Sequence, residues 1–132
     1  MKSAVLDSFA VLAFLLSEPG GEKVLRLLER AAASDEVVLI SAVNWAEVRY
    51  MVERKLGKHE WNSVNDRLMG LPIETVAVDR ELAELAGELK ATKKMSLGDT
   101  FAAALAKQRK MDLYTGDPEF RTMEDQIRVV WL

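Results

Sequence analysis

Ser96-Leu97-Gly98-Asp99 opens a stretch that runs through an alanine-rich segment to Tyr114-Thr115-Gly116-Asp117, and its reading decides the fold. Ser96 followed three residues later by Asp99 has the pattern of a capping box, in which a hydroxyl and a carboxylate satisfy free N–H groups at a helix start. Phe101, Leu105 and the alanines at 102–104 and 106 then supply a helix able to lie closely on a flat apolar surface. Met111-Asp112-Leu113-Tyr114-Thr115 reads as a short strand that breaks at Gly116-Asp117-Pro118. A helix feeding a short apolar strand is half of a βαβ unit, and the loop after such a strand is where open α/β sheets place their ligands.

Outward from this stretch the same alternation continues. Ser3 to Leu6 is a strand, and Asp7-Ser8 start a helix from Phe9 to about Leu16 that is apolar nearly all round and therefore expected to be buried. Pro19-Gly20-Gly21 stops it. Glu22 to Ala33 carries Val24, Leu27, Leu28, Ala31 and Ala32 at helical spacing. Val37-Val38-Leu39-Ile40, apolar on both faces, has the mark of a central parallel strand. Ser41 caps a helix to Leu56 with two apolar faces, Trp45, Val48, Val52 and Leu56 on one and Val43, Ala46, Tyr50 and Met51 on the other. Glu47 projects from within the second face, where a carboxylate needs a ligand or an ion-pair partner such as Arg54 or Lys94. A helix to Met69, a strand from Ile73 to Val78, a helix capped by Asp79 and a last strand at Arg128–Trp131 complete the pattern. It predicts a single domain over residues 1–132, a doubly wound three-layer α/β/α sandwich with a mainly parallel sheet of about five strands.

Composition narrows the function classes. At 132 residues the chain can bury a core without staples, and 49% apolar with 30% charged residues suits a soluble globular protein. No cysteine is present, which excludes disulfides and thiolate metal sites and fits a reducing cytoplasm. The longest apolar run, Phe9 to Leu16, falls far short of the roughly 20 residues needed to cross a bilayer. A net charge of −3 argues against gripping nucleic acid by bulk electrostatics. Two basic segments, Arg49, Arg54, Lys55 and Lys58, then Lys90, Lys93 and Lys94, read from charge patterning as solvated helix faces.

Four carboxylates are expected at one edge. The carboxyl ends of parallel strands share a rim, so Asp7 after the first strand and Asp117 after the fourth meet there, with Glu47 in the opening turns of the helix that leaves the second. Asp99 joins them if the 92–98 connection runs along the same rim. Asp7 as an N-cap, Asp99 in a capping box and Asp117 in a turn each have a local explanation, whereas Glu47 has no capping role. Together they repel, and a hard divalent cation resolves the repulsion. Mg²⁺ or Mn²⁺ suits an all-oxygen set, while zinc would want His or Cys, and the one histidine, His59, sits in a charged stretch. A metal held this way acts on phosphate esters.

Val5-Leu6-Asp7-Ser8, Ile40-Ser41-Ala42-Val43-Asn44-Trp45-Ala46-Glu47, Ser96-Leu97-Gly98-Asp99-Thr100 and Tyr114-Thr115-Gly116-Asp117, in this order, resemble the PIN domain, specifically the VapC toxins of type II toxin–antitoxin systems. The resemblance implies a Mg²⁺- or Mn²⁺-dependent endoribonuclease that cuts RNA to inhibit translation and growth, with Asp7, Glu47, Asp99 and Asp117 as its acidic quartet. It implies that Asp99 reaches the common pocket and that Ser8, Asn44 and Thr115 are supporting polar residues around the metal. It also implies a homodimer and a VapB antitoxin whose tail fills the active-site groove and which supplies the contact with operator DNA. Arg49, Arg54, Lys93 and Lys94 are candidates for RNA backbone contacts, and the helix face with Trp45 for a dimer or antitoxin surface. Phe9 stands where many relatives carry a small hydroxyl residue. A PIN nuclease of RNA processing would share the site; an aspartyl phosphatase would want a second Asp where Phe9 stands; a receiver-like signalling module would want paired acids after the first strand, where Asp7 is single, and a phosphoacceptor Asp after the third, where Asp79 reads as an N-cap.

Overall fold

Successive side chains of a strand point to opposite faces of its sheet, and in this chain that alternation divides the core in two. Ala4, Leu6, Val38, Ile40 and Tyr114 face one layer of helices, while Val5, Leu39 and Leu113 face the other. The computed structural model describes residues 4–132; Ser3, expected in the first strand, lies outside the described residues. The elements are β1 (Ala4–Leu6), α1 (Ser8–Leu15), α2 (Gly21–Ala33), β2 (Val38–Ser41), α3 (Ala42–Leu56), α4 (Lys58–Met69), β3 (Ile73–Val76), α5 (Arg80–Thr92), α6 (Leu97–Arg109), β4 (Asp112–Thr115), a 3-10 helix (Pro118–Met123) and β5 (Val129–Trp131).

The strands form one sheet in the order β3-β2-β1-β4-β5, and all four pairings are parallel. Helices α1 to α4 cover one face through Val11, Val24, Leu28, Val48, Val52 and Leu68. Helices α5 and α6 and the 3-10 helix cover the other through Leu82, Ala86, Leu105, Phe120 and Met123. The three-layer sandwich expected from the alternation is therefore present, with α6 lying close to the sheet because Ala102, Ala103, Ala104 and Ala106 are fully buried and add no bulk beyond Cβ.

This order places the site. The chain leaves β1 toward β2 over one face and leaves β4 toward β5 over the other, although β1 and β4 are neighbours. The two departing connections open a crevice at the carboxyl ends of β1 and β4, the position where doubly wound sheets bind ligands. Helix α6 begins at that rim and runs back to the start of β4, so the connection that had to reach the rim for Asp99 to join does reach it.

Some boundaries differ from the expectation. Ser41 ends β2 as well as capping α3, since an N-cap keeps extended backbone (φ −70°, ψ 152°) and can still pair with the next strand. The edge strand β3 stops at Val76, leaving Ala77 and Val78 outside it. Helix α1 is not buried all round, because Phe9 at its start is 43% exposed. Among the described residues no helix is long and apolar enough to cross a membrane.

Candidate acidic active site

Asp7 is the residue at which β1 becomes α1. Its backbone is extended (φ −90°, ψ 179°), and its Oδ1 accepts the Ala10 N–H at 2.8 Å as the helix N-cap. Leu6 pairs in register with Tyr114, which sets Thr115 beside Asp7, and the Thr115 hydroxyl donates to Asp7 Oδ2 at 2.5 Å. The same hydroxyl accepts the Asp117 N–H at 3.0 Å, so Thr115 couples the two acids. Asp7 is almost fully buried, and burial pushes its carboxyl up from 3.8 to about 7. The bonds from Thr115 and Ala10 oppose the rise, and the charges of Asp117 and Glu47 add to it.

Glu47 is held from two sides. Its Oε1 accepts from Ser8 Oγ at 3.1 Å and from Asn44 Nδ2 at 2.9 Å. Asn44 is fully buried one turn earlier on α3, and Ser41 Oγ donates to its Oδ1 at 2.6 Å. That leaves the amide hydrogens for Glu47 and for the Gly98 carbonyl at 3.0 Å, tying α3 to the first turn of α6. A Cβ on Gly98 would overlap the Glu47 carboxylate, so the glycine of the Ser96–Asp99 motif is required by close approach. Of the two options for Glu47, the ion pair with Arg54 or Lys94 is not formed, and the Arg54 guanidinium lies instead 4.8 Å from the Tyr50 ring centre.

The capping box at Ser96 is half made. Ser96 Oγ accepts the Asp99 N–H at 3.3 Å, but the reciprocal acceptor for the Ser96 N–H is Glu119 Oε1, at 3.1 Å, and not Asp99. Glu119 thereby releases the Asp99 carboxylate to the crevice. Asp99 is 7% exposed, and its Oδ2 is buried without a hydrogen-bond partner. Oxygens of Asp99, Asp117 and Glu119 all lie within 4.8 Å of one another. Burial first, then hydrogen bonding with Glu119 and the charge and hydrogen bonding of Asp117, together raise Asp99 from 3.8 to about 8, while Glu119 is lowered by its bonding with Asp99 and with the Ser96 N–H. Asp117 Oδ1 also accepts the Glu119 N–H at 2.9 Å and so opens the 3-10 helix.

Glu119 escapes the sequence reading, which has only a turn after Asp117. Its signal is the Gly-Asp-Pro-Glu spacing, since Pro118 at the first position of a 3-10 turn brings the acid at 119 back beside 117. None of the ion pairs among the described residues involves Asp7, Glu47, Asp99, Asp117 or Glu119. An orphaned buried carboxylate oxygen among several acids outside those ion pairs fits an oxygen-ligated divalent cation.

Three of the expected acids, Glu47, Asp99 and Asp117, line a cleft of about 650 Å³ with Ser8 and with the apolar Phe9, Leu12, Tyr50 and Met51, whereas Asp7 and Glu119 are not among its lining residues. Residues 4–126 match the PIN domain family. The chain belongs to that family. It is 31% identical over 110 residues, 78% of this chain and 82% of the relative, to Ribonuclease VapC of Mycolicibacterium smegmatis. Among solved structures it is similar to VapBC2 of Rickettsia felis bound to a promoter DNA fragment, with a TM-score of 0.74 and 19% identity over 98% of each chain. It is also similar to VapC20 of Mycobacterium tuberculosis, described as a sarcin–ricin loop cleaving toxin, with a TM-score of 0.70 and 17% identity over 92% of this chain and 95% of that one.

In this PIN domain the basic candidates for RNA contacts stand outside the lining of the acidic cleft. Arg49 stacks 5.1 Å from the Trp61 ring centre and pairs with Glu53 at 3.4 Å, and Lys93 donates to the Thr122 carbonyl at 3.0 Å. None of Arg49, Arg54, Lys93 and Lys94 lines the cleft, whereas Lys55 does. Trp45 packs edge-on against Trp61 at 6.0 Å, at the margin of the core, so the exposed apolar residues of α3 are Tyr50, Met51 and Leu56. His59 is exposed and stands apart from the acids.

Proposed function

We propose that this PIN domain is a metal-dependent endoribonuclease and the toxin of a VapBC-type pair, cutting RNA phosphodiester bonds and so arresting translation and growth. One observation carries the reading: the buried, unpartnered Oδ2 of Asp99 shares the cleft with Glu47 and Asp117, acids that take part in none of the ion pairs among the described residues. The relative named Ribonuclease VapC and the sarcin–ricin loop cleaving toxin of the same fold support an RNA substrate.

Asp7, Glu47, Asp99 and Asp117 are the proposed metal ligands and catalytic acids, and Glu119 stands close enough to Asp99 and Asp117 to join them. Mg²⁺ or Mn²⁺ bound there supplies charge neutralisation at the phosphate and activation of water. The chain supplies the rest. Thr115 holds Asp7 and the Asp117 backbone in one arrangement, and Ser8 and Asn44 hold Glu47, so the acids are fixed before substrate arrives. The carboxylates orient a water for in-line attack on phosphorus, leaving a 5′-phosphate and a 3′-hydroxyl.

A VapB-type antitoxin is the proposed partner, occupying the apolar side of the cleft and contacting operator DNA on the toxin's behalf. The toxin is proposed to be a cytoplasmic homodimer. Expression of the protein alone is expected to arrest growth, Asp99→Asn to abolish both the arrest and Mn²⁺-dependent RNA cleavage, and mapping of 5′ ends to reveal the target. Equal toxicity of parent and variant, with no cleavage by either in Mg²⁺ or Mn²⁺, would overturn the reading.

A further inference from the structure

Phe9 stands two residues after Asp7, in the first turn of α1, and leaves 43% of its surface in water although Ala10, Val11, Leu12 and Ala13 behind it are buried. The ring is seated. A Cβ placed on Gly116 would overlap the Phe9 ring, so the ring edge rests on bare backbone between Thr115, which holds Asp7, and Asp117. Its outer part lines the cleft with Glu47, Asp99 and Asp117. An aromatic side chain with two torsions, already lodged against backbone, loses little freedom when a flat ligand stacks on it.

Charge points to the same ligand. Among the described residues that line the cleft Lys55 is the one cation, beside the acids Glu18, Glu47, Asp99 and Asp117, and the chain has a net charge of −3. Phosphate neutralisation by side chains is therefore weak here. Stacking of bases on aromatic rings is the other main source of affinity for single strands, and it tolerates any base.

We propose that Phe9 is a positioning residue, a platform on which an unpaired nucleobase beside the scissile phosphate stacks, setting the register of the strand over the acids. The inference rests on the nuclease reading above and adds to it the requirement for an unstacked base at one fixed position.

The test compares wild type, Phe9→Ala, Phe9→Leu and Phe9→Trp with Mn²⁺ on a short mixed-sequence single-stranded oligoribonucleotide, and on copies carrying an abasic nucleotide at each position flanking the cut. Wild type is expected to lose about 5- to 150-fold in kcat/KM at one abasic position. Phe9→Ala is expected to lose a similar factor on the intact strand, chiefly in KM, and to be indifferent to that abasic position. Phe9→Trp restores the rate and Phe9→Leu, which fills the same seat without a π face, does not. Thermal unfolding of each variant checks that the fold persists, and the Leu–Trp contrast remains decisive if Phe9→Ala is unstable. The proposal is overturned if Phe9→Leu cleaves as well as Phe9→Trp, or if the abasic penalty survives in Phe9→Leu; the nuclease reading then stands, because wild type still cuts. If wild type cuts no RNA, both fall together.

Discussion

Replacing Asp7 by Asn is expected to make the metal-free protein more stable as the pH rises, while removing its activity. Asp7 titrates near 3.8 when unfolded and at about 7 in the fold, because burial disfavours its charge. Between those values the folded protein binds the extra proton, so stability is highest below pH 4 and falls as pH rises through the window, the loss being complete above about 7. The interval corresponds to about 4 kcal/mol of penalty at pH 8.5, against about 1 kcal/mol at pH 4.5. Asparagine keeps the cap, since its carbonyl accepts the Ala10 N–H, and its amide can donate to Thr115 Oγ1 once that hydroxyl turns. Urea unfolding in EDTA at the two pH values measures the gain directly. The expected result is a variant about 2–4 kcal/mol more stable than wild type at pH 8.5 and within about 1 kcal/mol of it at pH 4.5. A gain that does not grow with pH would refute burial as the source of the high Asp7 value.

Mn²⁺ or Mg²⁺ is expected to raise the thermal midpoint of wild type more at pH 8.5 than at pH 5, because protons on Asp7 and Asp99 compete with the ion; calorimetric scans with and without metal decide it, and equal shifts at both pH values would count against those two ligands. Gly98→Ala drives a methyl group into the Glu47 carboxylate at the far end of a flexible side chain, so the fold is expected to survive while metal affinity, read by titration calorimetry, falls about 10- to 100-fold. Asn44→Ala strips the Gly98 carbonyl and Glu47 of a donor and is expected to destabilise by about 1–3 kcal/mol in urea. Asp79→Ala, which removes only the cap of α5, is expected to lose about 1 kcal/mol and leave cleavage unchanged.

The rim of acids is legible in the sequence because strand ends are legible: Val5-Leu6 and Leu113-Tyr114 are apolar runs that stop at a polar residue, and parallel pairing brings the residues just past them together. Ser41, Asp79 and Ser96 announce helix starts for the same local reason. Glu119 is hidden because its role depends on the Ser96 N–H, 23 residues away, choosing it over Asp99. Charge runs report exposure and say nothing of direction, so the sequence does not show that Arg49 turns to Trp61 and Lys93 to Thr122. Apolarity alone puts Phe9 in a buried helix, whereas the topology leaves it, with Tyr50 and Met51, lining a cleft.

The contact between Gly98 and Glu47 also governs how such a protein can change over time. A side chain at 98 displaces the carboxylate from its seat, and an acid shorter by one methylene at 47 would give that side chain more room. The two positions are therefore coupled, and glycine with glutamate and a larger residue with aspartate are the two combinations that suit the contact. Each single step between these combinations passes through an ancestor with a crowded or a retracted acid.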